Sequence, residues 1–217
     1  MKTKISIAIF TSLLALSPAA NADFSVNVGA INVNPDNSGS AINDAPSLGL
    51  KGDSNTQLGI TLDYAFNDTW VLELIAATPF SHDVNGTGGL AGNKIANIKH
   101  LPPSLVAQYH FLDTSYQLRP FIGVGVNYTT FFDEQPSQAL KATLGTDDVE
   151  VELDDSFGLL VQVGANYKID DNWGLHAMVS MMDIDTDATV YANGSKALTS
   201  TVELDPVVAM FGVKYSF

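Results

Sequence analysis

Six ionisable side chains stand out because each interrupts apolar neighbours: Asp63, Glu73, His110, Arg119, His176 and Lys214. Carboxylates, imidazoles and basic groups in a confined space of low dielectric pair with one another, because an unpaired buried charge is costly. The chemistry they offer is closure of a passage rather than catalysis. A hydrolase or acyltransferase needs Ser, His and a carboxylate on one wall. None of His82, His100, His110 and His176 stands in a His-x-Ser pairing, and no enzymatic role is expected. Asp183, Asp185 and Asp187 open like an EF-hand loop. Ala188 then stands where Gly is required and Gly194 where Glu is required, so no metal site is expected. The run Asp147, Asp148, Glu150, Glu152, Asp154 and Asp155 reads as a solvated loop, with a loose divalent bridge to lipopolysaccharide phosphates as the other reading. Zero Cys removes disulfides and thiolate chemistry. No dinucleotide or P-loop glycine pattern is present, and no cofactor is implied. Ten Lys+Arg against 24 Asp+Glu would repel a phosphate backbone, so nucleic acid is not a partner.

The elements that must position these residues begin after a leader. Residues 1–22 have Lys2 and Lys4, an apolar stretch from Ile5 to Leu16, and a small-x-small site at Ala20-Asn21-Ala22. This is a secretory signal peptide, too short to span a bilayer. Its removal takes the net charge from -14 to -16 and leaves residues 23–217 as one domain.

Beyond the leader the period is close to two. Leu58, Ile60, Leu62, Tyr64 and Phe66 share one face, with Gln57, Gly59, Thr61 and Asp63 on the other. Trp70, Leu72 and Leu74 oppose Val71, Glu73 and Ile75, and Leu105, Ala107 and Tyr109 oppose Val106, Gln108 and His110. Such alternation makes strands with one apolar face and one small or polar face. Eight are expected, at 24–34, 56–66, 70–80, 101–111, 118–132, 156–169, 173–183 and 201–217. Most reach the roughly 9–11 residues that cross a bilayer at a tilt. Short polar turns at 67–69, 113–117 and 170–172 alternate with long loops at 35–55, 81–100, 133–155 and 184–200. Aromatics gather at strand ends, among them Trp70, Tyr109, Trp173 and Tyr215. The expected fold is therefore an all-β, eight-stranded antiparallel transmembrane barrel of the outer-membrane type, with short periplasmic turns and long extracellular loops. A lipocalin-like soluble barrel would reverse the faces, apolar inside and polar outside.

Several strings are more specific than periodicity. AATPF from Ala76, HLPP from His100 and NYTTFFD from Asn127, with longer stretches from Asn55, Asp154 and Leu204, resemble the outer membrane protein W (OmpW) family over the whole mature chain. The resemblance implies the outer membrane of a Gram-negative bacterium. It also implies a narrow, unusually apolar channel proposed to pass small hydrophobic molecules, with lateral exit into the bilayer.

An eight-stranded interior is barely wide enough for side chains, so a pathway has to be argued. Strand parity places the six ionisable residues inside, toward the short turns, as a polar plug. The same parity points Ile75, Ala77 and Val106 into an apolar cup at the other end, rimmed by Phe80, Phe131 and Phe132. Phe157 is a further lining candidate because it matches an aromatic in the family's Asp-Ser-aromatic-Gly string; parity opposes it, and a bulge is required. Pro102 and Pro103 mark the expected lateral opening, since proline withdraws a ladder hydrogen bond. Tyr215 and Phe217 end the chain like the C-terminal signature read by the outer-membrane assembly machinery. The expected partners are therefore membrane lipid and lipopolysaccharide, small hydrophobic solutes and that machinery. The rival reading is a structural or receptor barrel whose outer loops bind phage, bacteriocin or host surfaces.

Overall fold

The computed structural model describes residues 24–35, 40–42 and 45–217; the signal peptide expected at residues 1–22 lies outside them. In chain order the strands are β1 (Phe24–Asn34), β2 (Ser40–Ile42), β3 (Ala45–Gly52), β4 (Asn55–Ala65), β5 (Trp70–Ala77), β6 (Phe80–Gly88), β7 (Lys94–Leu101), β8 (Ser104–His110) and β9 (Leu118–Pro136). After helix α1 (Gln138–Leu144) come β10 (Val149–Leu153), β11 (Ser156–Lys168), β12 (Trp173–Met182), β13 (Asp185–Ala192), β14 (Ser195–Glu203) and β15 (Val207–Ser216).

Eight of these strands close on themselves in the order β11-β12-β15-β1-β4-β5-β8-β9, with β9 pairing back onto β11, and every pairing is antiparallel. Closure leaves no unpaired edge, which hydrocarbon requires because it offers backbone groups no partner. The expected faces are kept. Val124, Leu159 and Phe211 leave 63, 65 and 61% of their surface exposed on the outer wall, a pattern water penalises and lipid favours. At the short-turn end the outer aromatics touch in pairs. Trp70 lies edge-on to Tyr109 at 5.2 Å and Trp173 to Tyr215 at 4.9 Å, forming a girdle for the membrane interface.

At the opposite end the long connections are present as expected, but among the described residues much of their length is strand rather than irregular loop. β6 and β7 form a hairpin that pairs onto the far half of β9, and β3 and β2 continue that sheet. β10, β13 and β14 form a second sheet, with β10 beside β9 and β14 beside β2. The β13–β14 turn is Asn193-Gly194, both at positive φ as a two-residue hairpin demands. α1 is capped by the Ser137 hydroxyl, which accepts from Leu140 N–H, and ends at left-handed Gly145. Three expected strands are consequently split. The chain breaks at Thr78-Pro79, at Pro102-Pro103 and across residues 204–206, each break holding a proline that cannot donate to a ladder.

Candidate functional site

The interior divides along the barrel axis. In the short-turn half, Asp63 forms an ion pair with Lys214 and also accepts hydrogen bonds from Asn27 (3.0 Å), Thr61 (3.1 Å) and Ser25 (3.3 Å). Glu73 accepts from Gln162 at 2.9 Å, and His176 Nε2 stands 3.7 Å from its other oxygen. Asn166 Oδ1, 2.8 Å away, takes the proton of His176 Nδ1. Gln108 donates to Gln162 at 3.1 Å, and His110 Nε2 meets Gln108 Oε1 at 3.1 Å. Phe121 fills the remaining space, its ring 5.0 Å from that of His110 and 5.8 Å from that of His176.

Five of the six residues singled out from the sequence therefore meet inside: Asp63, Glu73, His110, His176 and Lys214. Arg119 does not pair with a buried carboxylate. Its guanidinium donates to the backbone carbonyls of Leu112 and Asp68 in the short turns, tying two turns together. The neutral half of this layer, Ser25, Asn27, Thr61, Gln108, Gln162 and Asn166, carries no charge to mark it in the sequence. Nor does Phe121, which shares inward parity with Arg119 and Gly123.

In the other half, Ile31, Ile75, Val106, Leu160, Met178, Val208 and Met210 pack into an apolar layer, with Ala77 against its edge. Ile75 and Val106 are nearly sealed, at 2 and 0% exposure. They pack within this layer and, like Ala77, are not among the residues that line the cavity, whose open space lies higher. Among the described residues that space is a cavity of about 90 Å³, lined by Val33, Ile98, Phe131, Leu140, Ile184 and Leu204 with His82 and His100. Phe80 and Phe131, expected at a rim, are buried inside, where His100 stacks 5.5 Å from Phe80 and 5.8 Å from Phe131. Phe157 is corrected outright. Ser156 and Phe157 pair regularly with Thr129 and Tyr128, no bulge intervenes, and the ring points outward at 70% exposure.

His82 and His100 lie in the extension beyond the eight barrel strands. Burial lowers the pKa of His82, against a hydrogen bond to the Asp53 carbonyl, and pushes that of His100 down to about 3. Both are neutral near pH 7. Their lining role was invisible from the sequence because residues 81–100 read as loop. At the base of the extension, Asp183, Asp185 and Asp205 bring exposed carboxylate oxygens within 4.8 Å, whereas Asp187 accepts from Thr201.

The β5–β8 ladder stops short of Pro102 and Pro103. β5 and β8 pair last at Ile75 and Ser104, and the neighbouring β6 and β7 resume at Phe80 and His100. Between these points Thr78 N–H turns to the Leu58 carbonyl on β4, and the Pro103 carbonyl accepts from Tyr128 on β9. Each flank stays anchored to its outer neighbour while the ladder between β5 and β8 lapses.

A closed antiparallel barrel with a lipid-type exterior, an interface girdle and a side-chain-filled interior is an outer-membrane β-barrel. The sequence pattern of the OmpW family matches residues 20–217, and the chain belongs to that family. It is 42% identical to outer membrane protein W of Vibrio cholerae over 198 residues, which cover 90% of this chain and 88% of that one. It is 41% identical to outer membrane protein W of Salmonella typhi, over 100% of this chain and 99% of that one. Among solved structures, OprG of Pseudomonas aeruginosa superposes with a TM-score of 0.82 at 39% identity, covering 90% of this chain and 96% of that one. The protein resides in the outer membrane.

Proposed function

We propose that the barrel takes small hydrophobic molecules from outside the cell into its apolar compartment and releases them sideways into the membrane. The observation that carries this reading is the two-zone interior. An apolar compartment sits above a layer of buried, mutually bonded polar side chains. A solute with no hydrogen bonds to offer would have to break the Glu73–Gln162–Gln108–His110 series to descend, leaving several buried polar groups unpaired at about 1–3 kcal/mol each. The lapse between β5 and β8 lies beside the packed apolar layer and asks for no such break, so Pro102-Pro103 is where exit is assigned. Lipid and lipopolysaccharide surround the pathway in this reading, and the solutes are the only cargo.

The experiment is paired flux into vesicles with lipopolysaccharide in the outer leaflet, whose sugar layer slows apolar solutes. A hydrophobic and a hydrophilic probe are followed side by side. The wild-type protein should speed entry of the hydrophobic probe several-fold and leave the hydrophilic one at the rate of empty vesicles. Ala188→Phe, which fills the cavity from β13, should abolish most of that gain. Equal passage of both probes, or no loss in Ala188→Phe, would overturn the reading.

A further inference from the structure

Two ring nitrogens in the apolar cavity have no partner. Among the described residues, His82 Nε2 and His100 Nδ1 are both buried without a hydrogen bond, beside a space lined mostly by aliphatic and aromatic carbon, with Lys51 and Glu203 also on its wall. A buried polar atom left unpaired costs about 1–3 kcal/mol, so such an atom on a residue that lines a cavity favours a ligand group that displaces the side chains over it and completes it. The kind of group is fixed by what His82 does with its other nitrogen. Nδ1 faces the backbone carbonyl of Asp53, and a carbonyl can only accept; Nδ1 therefore carries the proton. In the neutral ring Nε2 is then a lone pair and nothing else. A ligand reaching it must donate.

We propose that the compartment is selective among hydrophobic molecules for those bearing one hydrogen-bond donor, of the phenol or short apolar alcohol class, whose hydroxyl donates to His82 Nε2. This deepens the uptake reading above and rests on it. The surroundings favour a hydroxyl over a charged amine, because most of the lining is aliphatic or aromatic and its two charged residues, Lys51 and Glu203, are of opposite sign. They also favour a small ring. His82 and His100 lie 4.9 Å apart, and His100 stacks between Phe80 and Phe131, so the wall beside the acceptor is a row of aromatic faces. The cavity is tight, since about 90 Å³ is below the roughly 150 Å³ apolar cavity that takes benzene, so a phenol-sized ligand has to push aside half-buried side chains such as Ile98 and Leu204. Burial keeps both imidazoles neutral near pH 7, so the acceptor is available where the protein works.

The test uses phenol and toluene, which share a ring and nearly a volume but differ in the donor. The full-length mature protein in lipid nanodiscs is titrated with each, following methyl resonances of Ile184 and Leu204 and the ¹⁵N resonance of His82 Nε2. Both probes should move the methyls, and only phenol should move the nitrogen. His82→Asn keeps an amide donor near the Asp53 carbonyl and withdraws the acceptor from the Nε2 position, its own Oδ1 falling where the ring's Cδ2 stood; it should weaken phenol about tenfold and leave toluene within about twofold. Toluene binding by the variant reports that its cavity is intact. If His82→Asn does not fold, the nitrogen shift in the wild-type protein decides alone. Methyl shifts with both probes but no nitrogen shift, or unchanged phenol affinity in a folded variant, would overturn donor selection while leaving uptake standing. No methyl response to either probe would sink both.

Discussion

At the residue scale, a histidine buried neutral makes the extension sensitive to acid. When β6 and β7 open, His82 and His100 regain an ordinary pKa of about 6.5; when the strands close, burial lowers both, His100 to about 3. The open state therefore takes the proton first. The stability these residues allow is full above about pH 6.5 and is lost as the pH falls toward the folded-state value. At pH 5, His100 alone should favour opening by about 2 kcal/mol relative to pH 7.5, roughly a thirtyfold loss of protection. Amide hydrogen exchange of residues 80–83 and 98–101, corrected for the intrinsic rate, measures it. His100→Phe keeps the stack between Phe80 and Phe131 and should remove most of the pH dependence; an unchanged dependence would assign it elsewhere.

At the element scale, β9 and β11 meet where a large ring needs a missing side chain. Phe121 on β9 lies against Gly164 on β11, so closely that a methyl group at position 164 would overlap the ring, with the Ala177 carbonyl of β12 behind it. Gly164→Ala should therefore push Phe121 from between His110 and His176 and destabilise the barrel by about 1–3 kcal/mol, as overpacking does. Urea unfolding in vesicles reads this, and Phe121→Leu in the same chain should recover at least half of the loss. That contact also marks where sequence stops being enough. Alternation made the eight barrel strands legible to within a residue or two at most ends, because lipid outside and a packed lumen inside enforce period two. It said nothing of which inward residues touch, since Glu73 and Gln162 are 89 positions apart and meet only through barrel closure. The extension was illegible for a different reason. Its strands are polar on the outside, broken by prolines and held by pairing to β9 rather than by lipid, so residues 81–100 and 184–200 read as loops. Phe157 shows the reverse error, where a matched string outweighed a parity argument that was correct.

At the scale of the whole molecule, the fold delays its own completion. β1 pairs with β4 on one side and β15 on the other, so the barrel cannot close until the last strand arrives. Closure joins residues nearly the full chain apart, a topology that folds slowly and leaves apolar strands exposed meanwhile. The terminal Phe217 contributes little to the finished structure: its N–H donates to the Phe24 carbonyl and its ring lies edge-on to Tyr215 at 5.1 Å. Deleting Phe217 should cost about 1–2 kcal/mol of barrel stability, the sum of one exposed hydrogen bond and one aromatic pair. Refolding into vesicles from urea should then proceed at nearly the wild-type yield. If the Tyr215–Phe217 ending is also what the assembly machinery reads, the same deletion should lower the amount in the outer membrane of living cells at least several-fold. The two yields, taken on one variant, separate the roles. Parallel modest losses would make Phe217 a structural cap only, whereas a cellular deficit without an equal deficit in refolding makes it a signal, because no contact in the closed barrel is worth that difference.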